Sequence, residues 1–366
     1  MRVLWYTTKV MKDKLEKLFS QLPDGSALIV TDSINRRYIT GFDCEDSMLA
    51  VTADKALYIT DFRYLELAER HFEGTGTELA FLAPDDQLSA LRDFVVRSGA
   101  QVCLLEEASL TVSSWRRLKE LFGDFPLKDA GAALANLRAV KSDAEIACIE
   151  RAQSFAEKAF SKTLGIIKPG ITERDIMVEL EYHMLRFGAE HTSFETIIAS
   201  GPNSSVPHAR VTDRKIESGE FITMDFGAKY GGYCSDMTRT VAVGKPDAEQ
   251  LAVYGTVQRA QRYAIENIQA GITGREADSF ARELITANGY GECFGHGLGH
   301  GVGLFIHESP RLSKLSQNVL LENMVVTVEP GIYIKNRMGV RIEDMLVVKP
   351  GGSRNLTSIT TELIIL

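Results

Sequence analysis

The chain has 366 residues, of which 45% are apolar and 25% charged, so it is long enough to form two domains with buried cores. Its formal net charge of -8 argues against nucleic acid as the main partner. No apolar run approaches the roughly 18 residues of a membrane helix, and the first residues lack the apolar segment of a signal peptide. We therefore expect a cytoplasmic protein without a membrane partner.

The cysteine pattern agrees with this expectation. The five cysteines are odd in number and form no CxxC pair: Cys44, Cys103, Cys148, Cys234 and Cys293. This pattern favours reduced thiols over a disulfide framework or a zinc knuckle.

Residues 1–135 alternate between helical and strand patterns. After an extension over residues 1–10, an apolar stripe predicts a helix over 11–22. Further strands are predicted at 27–31, 48–52, 56–60, 78–82 and 102–105, and further helices at 61–72, 86–98 and 112–122. The alternation predicts a mixed-sheet α/β domain. It contains no GxGxxG or P-loop, so a nucleotide role has no support, and residues 124–139 are predicted to be a connection.

The residues from roughly 140 to 366 follow a different order, which predicts an internal α+β duplication. A capping box at Ser142 and Glu145 opens a helix to about residue 164, and Thr172 caps a second helix ending near 187. A strand over 193–199 and a hairpin over 221–243 follow. Helices over 247–270 and 274–288, a glycine-rich stretch over 296–308, a second hairpin over 324–348 and a terminal strand complete the domain.

The first hairpin carries two acids at equal distances from its turn. Asp225 and Asp236 are equidistant from the midpoint between Tyr230 and Gly231, so symmetric pairing would place them directly opposite on one face. Two carboxylates in a packed core would repel each other and lose their hydration, unless a cation binds between them. The alternative is a surface turn with two hydrated aspartates, but the apolar neighbours favour core strands.

The second hairpin repeats this arrangement. Glu329 and Glu343 are equidistant from Asn336, and both lie in apolar runs. Four carboxylates on two hairpins match a two-metal hydrolase, in which the paired ions supply a nucleophile without a serine or cysteine.

The glycine-rich stretch is predicted to add an imidazole ligand. In extended geometry, His296 and His300 project to the same face, and neighbouring glycines let the backbone approach a metal or substrate closely. A phosphate cradle is the competing interpretation, but the stretch lacks the Lys and Ser/Thr of a P-loop. Oxygen donors with about one imidazole favour Mn²⁺, Fe²⁺ or Co²⁺ over a structural zinc site.

Five motifs in this order resemble the pita-bread metallopeptidases, most closely the Xaa-Pro peptidases aminopeptidase P and prolidase. The motifs begin at Met224 (MDFG), Ser235 (SDMTRT), His296 (HGLGHGVG), Val328 (VEPGIY) and Val340 (VRIED). The resemblance covers nearly the whole chain and implies a pita-bread catalytic domain over 136–366, preceded by a smaller α/β N-terminal domain over 1–135. It also implies a homodimer.

The resemblance further implies a ligand set for two divalent ions, with Mn²⁺ favoured and Co²⁺, Fe²⁺ or Zn²⁺ as alternatives. The implied ligands are Asp225, Asp236, His300, Glu329 and Glu343. Asp236 and Glu343 would bridge both ions, Asp225 would hold one ion, and His300 with Glu329 would hold the other.

Catalytic roles are implied for five residues: His208, His296, His307, Glu329 and Arg341. His208 would contact substrate and shuttle protons, whereas His296 and His307 would stabilise the tetrahedral intermediate. Glu329 would also act as the general base. Arg341 would orient Glu343 or the substrate, or alternatively pair with a nearby acid.

The resulting prediction is a dinuclear-metal exopeptidase that cleaves between an N-terminal residue and a following proline. Its substrate is expected to be a peptide with proline at the second position. The preferred interpretation is an Xaa-Pro aminopeptidase, and the first alternative is an Xaa-Pro dipeptidase restricted to dipeptides. A non-catalytic peptide-binding protein would be expected to lack a ligand, and none is missing. A two-metal phosphoesterase would be expected to have more histidines at the metals and a basic pocket.

Overall fold

The computed structural model describes residues 8–42 and 44–366. The chain separates into two compact units, of which the first ends at Arg138 and the second covers Ala139–Leu366. The extension predicted over residues 1–10 falls mostly outside the described residues, and the first helix already begins at Thr8. No helix in the described part of the chain is long and apolar enough to cross a membrane.

The first unit is a mixed sheet with helices. Its helices are α1 (Thr8–Phe19), α2 (Ser33–Thr40), α3 (Leu65–Phe72), α4 (Pro84–Arg97), α5 (Val112–Phe122) and α6 (Gly131–Ala139). Its strands are β1 (Ser26–Val30), β2 (Met48–Val51), β3 (Ala56–Thr60), β4 (Glu78–Phe81), β5 (Val102–Leu105) and β6 (Leu127–Asp129). The strand order is β4-β3-β2-β1-β5-β6, with parallel pairing for β1–β5, β3–β4 and β5–β6. Residues 124–139, predicted to be a connection, instead contain β6, which extends the sheet, and α6, which follows it.

The second unit alternates helix pairs with hairpins. Its helices are α7 (Asp143–Thr163), α8 (Glu173–Phe187), α9 (Ala248–Asn267) and α10 (Gly274–Ala287). Its first strands are β7 (Ile197–Ser200), β8 (Glu220–Phe226), β9 (Lys229–Tyr230), β10 (Tyr233–Cys234) and β11 (Met237–Val243). The later strands are β12 (Gly299–Gly301), β13 (Glu308–Leu312), β14 (Val325–Val328), β15 (Gly331–Ile334), β16 (Met338–Arg341), β17 (Asp344–Lys349) and β18 (Gly352–Asn355).

The helix starts follow their caps. The Ser142 hydroxyl accepts from the Glu145 N–H, and the Glu145 carboxylate accepts from the Ser142 N–H, which is the predicted capping box. Thr172 caps α8 in the same way with Asp175. The capping groups satisfy N–H groups that have no partner inside the helix, so the sequence defines these boundaries locally.

Each helix pair covers one hairpin. The first hairpin (residues 220–243, β8 to β11) packs Met224, Phe226 and Val241 into a core with α7 and α8. The second hairpin (residues 325–349, β14 to β17) places Val326 and Leu346 in a core with α9 and α10. Because side chains alternate across a strand, the residues between these apolar positions form a second, more polar face on each hairpin.

Candidate active site

The polar faces of the two hairpins are joined by hydrogen bonds. The Thr223 hydroxyl donates to the Gly339 carbonyl at 3.2 Å, and the Arg341 N–H donates to the Thr240 hydroxyl at 3.2 Å. The Glu343 N–H donates to the Thr238 carbonyl at 3.1 Å. Acids on the two polar faces therefore lie in one region.

The first hairpin does not have the predicted register. Asp225 pairs with Thr238, and Asp236 lies just before β11, outside the ladder. The turn is centred on Gly231-Gly232, both with positive φ, rather than between Tyr230 and Gly231. The prediction of directly opposed aspartates was wrong by two residues. A slip of two residues keeps each side chain on the same face, so both aspartates still line the same cavity.

The second hairpin has the predicted register. Val328 pairs with Asp344 on one side of the acids, and Gly331 pairs with Arg341 on the other. Both ladders continue the same register about Asn336, whose φ is 58°. Glu329 and Glu343 therefore occupy opposed positions between the two ladders.

His300 enters this acidic region from β12. Its Nδ1 contacts the Gly301 carbonyl at 3.1 Å, so this nitrogen carries the proton and Nε2 presents a lone pair. Nε2 lies 3.3 Å from Glu329 Oε1 and 3.6 Å from Asp236 Oδ2. Burial lowers the pKa of His300 to about 3, which keeps the ring neutral. A neutral imidazole held by its second nitrogen is typical of a metal ligand.

The donor set fits a divalent cation. One ligand atom each from Asp236, His300 and Glu343 lie within 4.8 Å of one another. Two buried carboxylate oxygens, Asp225 Oδ1 and Glu343 Oε1, have no hydrogen-bond partner among the residues that the structure describes. Buried polar atoms are normally paired, and a bound cation would satisfy both of these oxygens.

The electrostatics support the same conclusion. Burial raises the pKa of Asp236 well above its usual range, and the nearby Glu343 carboxylate raises it further. Burial raises the pKa of Glu343 in the same way. Burial also raises the pKa of Glu329 to about 7, although Arg341 opposes this shift. Without a cation these groups favour their protonated forms, and a cation would stabilise the ionised forms.

Arg341 pairs with an acid, as one of its two interpretations predicted. Nη2 donates to Asp225 Oδ2 at 2.6 Å, and Nη1 donates to the Tyr333 hydroxyl at 2.7 Å and to the Pro207 carbonyl at 3.3 Å. The guanidinium thereby occupies one oxygen of Asp225 and leaves Oδ1 for a cation. Its contact with Pro207 also holds the loop that carries His208.

The three other histidines predicted for the site are His208, His296 and His307. They line a cavity of about 570 Å³ together with the predicted metal ligands. His208 is an exposed residue at its wall, and the His307 ring packs 4.5 Å from the His300 ring. His296 contacts the Gly297 carbonyl through Nδ1 at 2.8 Å and the Tyr333 hydroxyl through Nε2 at 3.0 Å. Every residue predicted for the site therefore lines this one cavity.

Sequence reasoning missed three residues that hold predicted site side chains in place, and it also missed Arg311 at the cavity wall. The Thr238 hydroxyl donates to Glu343 Oε2 at 2.7 Å, and the Thr327 hydroxyl donates to Glu329 Oε1 at 3.2 Å. Tyr333 connects Arg341 to His296. Their positions were detectable in principle, because Thr238 and Thr327 lie two residues from Asp236 and Glu329 and so share their strand faces.

These features first define a class of protein. The sequence model of metallopeptidase family M24 matches residues 147–350, and that of the creatinase/prolidase N-terminal domain matches residues 14–140. The chain belongs to metallopeptidase family M24. It is a metal-dependent peptide hydrolase with a pita-bread catalytic domain after an α/β N-terminal domain, so the predicted fold class and enzyme class are confirmed.

Individual relatives narrow the comparison. The chain is 37% identical over 359 residues to the Xaa-Pro dipeptidase of Pyrococcus horikoshii, covering 97% of this chain and 99% of the relative. The solved structure of an Xaa-Pro dipeptidase from Bacillus anthracis is 40% identical, with a TM-score of 0.92 and coverage of 97% and 100%. That of an X-Pro aminopeptidase from Thermotoga maritima is 36% identical, with a TM-score of 0.90 and coverage of 97% and 99%.

Proposed function

We propose that this protein is an Xaa-Pro dipeptidase that hydrolyses the bond between an N-terminal residue and a C-terminal proline. This replaces the aminopeptidase preference of the sequence analysis with its alternative. Named dipeptidases among the relatives support the choice. Similarity to the X-Pro aminopeptidase of Thermotoga maritima supports a second candidate function, an Xaa-Pro aminopeptidase that accepts longer peptides.

The observation that carries the dipeptidase proposal is the position of Arg311. It is an exposed residue of β13 that lines the cavity, and its register partner is His300. Among the described residues, its guanidinium has no hydrogen-bond or ion-pair partner. A dipeptide presents a free proline carboxylate one residue from the bond to be cleaved, whereas a longer peptide presents a neutral amide there. An arginine pairs well with a carboxylate, so Arg311 would favour the dipeptide.

The proposed metal ligands are those of the sequence analysis: Asp225, Asp236, His300, Glu329 and Glu343. Asp236 and Glu343 would be shared between two divalent ions, and the oxygen-rich set favours Mn²⁺. Such ions would polarise the scissile carbonyl and lower the pKa of the attacking water.

The chain itself supplies proton transfer and orientation. Glu329 lines the cavity, and Thr327 holds its Oε1. Its carboxylate is proposed to take a proton from the attacking water and return it to the proline nitrogen. His208, exposed at the cavity wall, is proposed to assist that return, because the departing secondary amine needs a proton.

The two remaining histidines take different roles in this proposal. His307 is exposed beside His300 and is proposed to donate a hydrogen bond to the developing oxyanion. His296 carries its proton on Nδ1, towards the Gly297 carbonyl, so Nε2 accepts from Tyr333. Burial also lowers the pKa of His296 to about 4, so the ring stays neutral. His296 is therefore proposed to fix Tyr333, and through it Arg341, rather than to donate to the substrate.

The test compares substrates of different length. Metal-depleted protein is assayed with Xaa-Pro, Xaa-Pro-Yaa and a phosphate ester, with and without Mn²⁺. Mn²⁺-dependent cleavage of the dipeptide alone supports the proposal. Cleavage of the tripeptide at a similar rate would instead support the aminopeptidase, and no cleavage of either peptide would exclude both.

An arginine variant tests the specificity argument. Arg311→Met should lower kcat/KM for the dipeptide by about 10- to 100-fold, the range for losing a hydrogen bond to a charged group. It should change any tripeptide cleavage little. Arg275→Met, at an exposed arginine of α10, is the matched control. Equal losses for both peptides would contradict the role of Arg311.

A further inference from the structure

The turn that carries His307 is closed by a buried carboxylate. Glu308 Oε1 accepts from the Phe305 N–H at 3.0 Å, and Glu308 is buried at the start of β13. Gly303 makes room for this group, because a Cβ there would collide with the Glu308 carboxylate. The carboxylate therefore lies inside the turn 303–308 and connects its two ends.

The second oxygen of Glu308 faces a buried lysine. Lys141 Nζ lies 3.4 Å from Glu308 Oε2, and the two side chains are 1% and 3% exposed. Lys141 is itself anchored, because its Nζ donates to the Ala139 carbonyl at 3.1 Å and its N–H donates to the Asn323 carbonyl at 3.0 Å. The ion pair thus attaches the turn to a fixed point at the start of the second unit.

The other side of the turn is attached to the first hairpin. The Cys234 N–H donates to the Gly303 carbonyl at 2.8 Å, two residues before Asp236. Within the turn, Leu304 and Ile306 are buried, whereas Phe305 and His307 are exposed. With both ends held and the apolar residues buried, His307 is left facing the cavity against the His300 ring.

A buried ion pair contributes little net stability to a fold. Desolvation of the two charges offsets much of their attraction, and a well-packed apolar pair often stabilises as well or better. What an ion pair adds is a defined geometry. Here that geometry is transmitted to a single functional side chain, His307.

We propose that the Lys141–Glu308 ion pair positions His307 for catalysis without touching the substrate. This inference rests on the proposed function for its kinetic consequence. The orientation of the His307 ring is a property of the protein alone and can be measured without substrate.

Three variants separate positioning from general stabilisation. Glu308→Gln keeps an acceptor for the Phe305 N–H but removes the charge, and Lys141→Met removes the opposite charge. The double variant Lys141→Met/Glu308→Gln removes both charges of the pair together. We expect the single variants to lose thermal stability and the double variant to regain it.

The kinetic expectation differs from the stability expectation. All three variants should lower kcat by roughly tenfold, the lower end of the range for residues that orient active-site groups, with KM and metal content unchanged. In a His307→Ala background, Glu308→Gln should cause no further loss. A wild-type kcat in the double variant, or additive losses with His307→Ala, would overturn the proposal.

NMR spectra of the histidine rings report the orientation of His307 and do not depend on enzyme activity. The chain has seven histidines, so the ring signals of the Zn²⁺-loaded protein can be assigned by single substitutions. Glu308→Gln and the double variant should shift the His307 signal and leave that of His183, on α8, unchanged. An unchanged His307 signal in these variants would overturn the positioning proposal. Failure of the wild-type protein to cleave any Xaa-Pro peptide would refute only the proposed function, and the His307 signal would still test the positioning proposal.

Discussion

The first and second hairpins each bring two acids to the same cavity, but their turns differ. In the first, Gly231 and Gly232 form a two-residue turn with φ values of 59° and 82°. In the second, three residues separate Ile334 from Met338, and Asn336 is left-handed with φ of 58°. Register is set by the residues that adopt the turn. Symmetry of the acids about a midpoint predicted the register only where that midpoint was also the centre of the turn.

The hairpins also differ in how their acids are held. Asp225 pairs with Arg341 from the second hairpin, while Glu343 accepts from Thr238 of the first. Each hairpin therefore orients an acid of the other, and neither half of the site is complete alone. This reciprocal arrangement makes the expected effects of substitutions testable on both sides.

The largest expected effect is loss of a proposed bridging acid from either hairpin. Asp236→Ala and Glu343→Ala should each lower turnover on the order of 10³-fold, because charge stabilisation at the reacting centre is lost. Metal content should fall while the circular dichroism spectrum is retained. If only one of the two variants lost activity, the proposal that both hairpins supply an essential bridging acid would be wrong.

Asp344→Asn is the matched control, because it alters the next acid in the chain. Asp344 Oδ1 accepts from Arg239 Nη2 at 2.8 Å in a buried pair. Weakening this pair should lower the free energy of unfolding by up to ~3–5 kcal/mol, the cost of leaving a buried charge unpaired. Metal content should remain normal, as measured by elemental analysis of folded protein.

The next effect concerns the contact between the hairpins. Arg341→Met should weaken metal binding by about 10- to 100-fold, because it releases the Asp225 carboxylate from its hydrogen bond. Titration of the metal-depleted protein with Mn²⁺ measures this change. Arg337→Met, an exposed arginine of the same hairpin turn, should bind Mn²⁺ like the wild type. Unchanged affinity in Arg341→Met would show that Asp225 needs no orienting partner.

A pH effect of intermediate size should appear in the metal-depleted protein. Burial raises the pKa of Glu329 to about 7 from 4.5, so its contribution to stability is fully present below 4.5 and is lost as the pH rises through about 7. Asp236 and Glu343, whose pKa values are also raised by burial, act in the same direction. His296, His300 and His307 have pKa values that burial lowers, so they act in the opposite direction, but only near and below their usual pKa of 6.5. Their effect on the pH dependence fades as the pH rises above that value, whereas that of the raised carboxyl groups persists.

The melting temperature of the metal-depleted protein should therefore be a few degrees lower at about pH 8.5 than at about pH 6.5. Mn²⁺ should raise it more at the higher pH. Glu329→Gln should reduce the difference between the two pH values. A higher melting temperature at pH 8.5 in the absence of metal would contradict the buried, protonated carboxyl groups.

The smallest effects should come from the turns. Gly232→Ala places a Cβ at φ of 82° and should cost ~1–2 kcal/mol of stability. Asn336→Gly keeps the left-handed conformation accessible and should change stability by no more than about 0.5 kcal/mol. Chemical denaturation measures both. A large cost for Asn336→Gly would show that the second turn depends on its side chain rather than on its backbone.

Features that depend on neighbours in the chain could be predicted from the sequence alone. Capping boxes at Ser142 and Thr172, strand alternation and the face of each acid follow from local geometry. Alternation also explains why the site survived an incorrect register, since a slip of two residues preserves the face. The helix α6 was missed because its apolar pattern is weak and its order comes from packing.

The contacts between groups that are distant in the chain became apparent only in the folded protein. In the folded chain, Arg341 binds Asp225, Tyr333 binds His296, and Thr238 binds Glu343. Lys141 contacts Glu308, which lies 167 residues away in the chain. These contacts join segments that are distant in sequence, and no periodicity encodes their partners. Their specificity comes from burial, because a charge or hydroxyl removed from water must find a partner wherever the fold provides one.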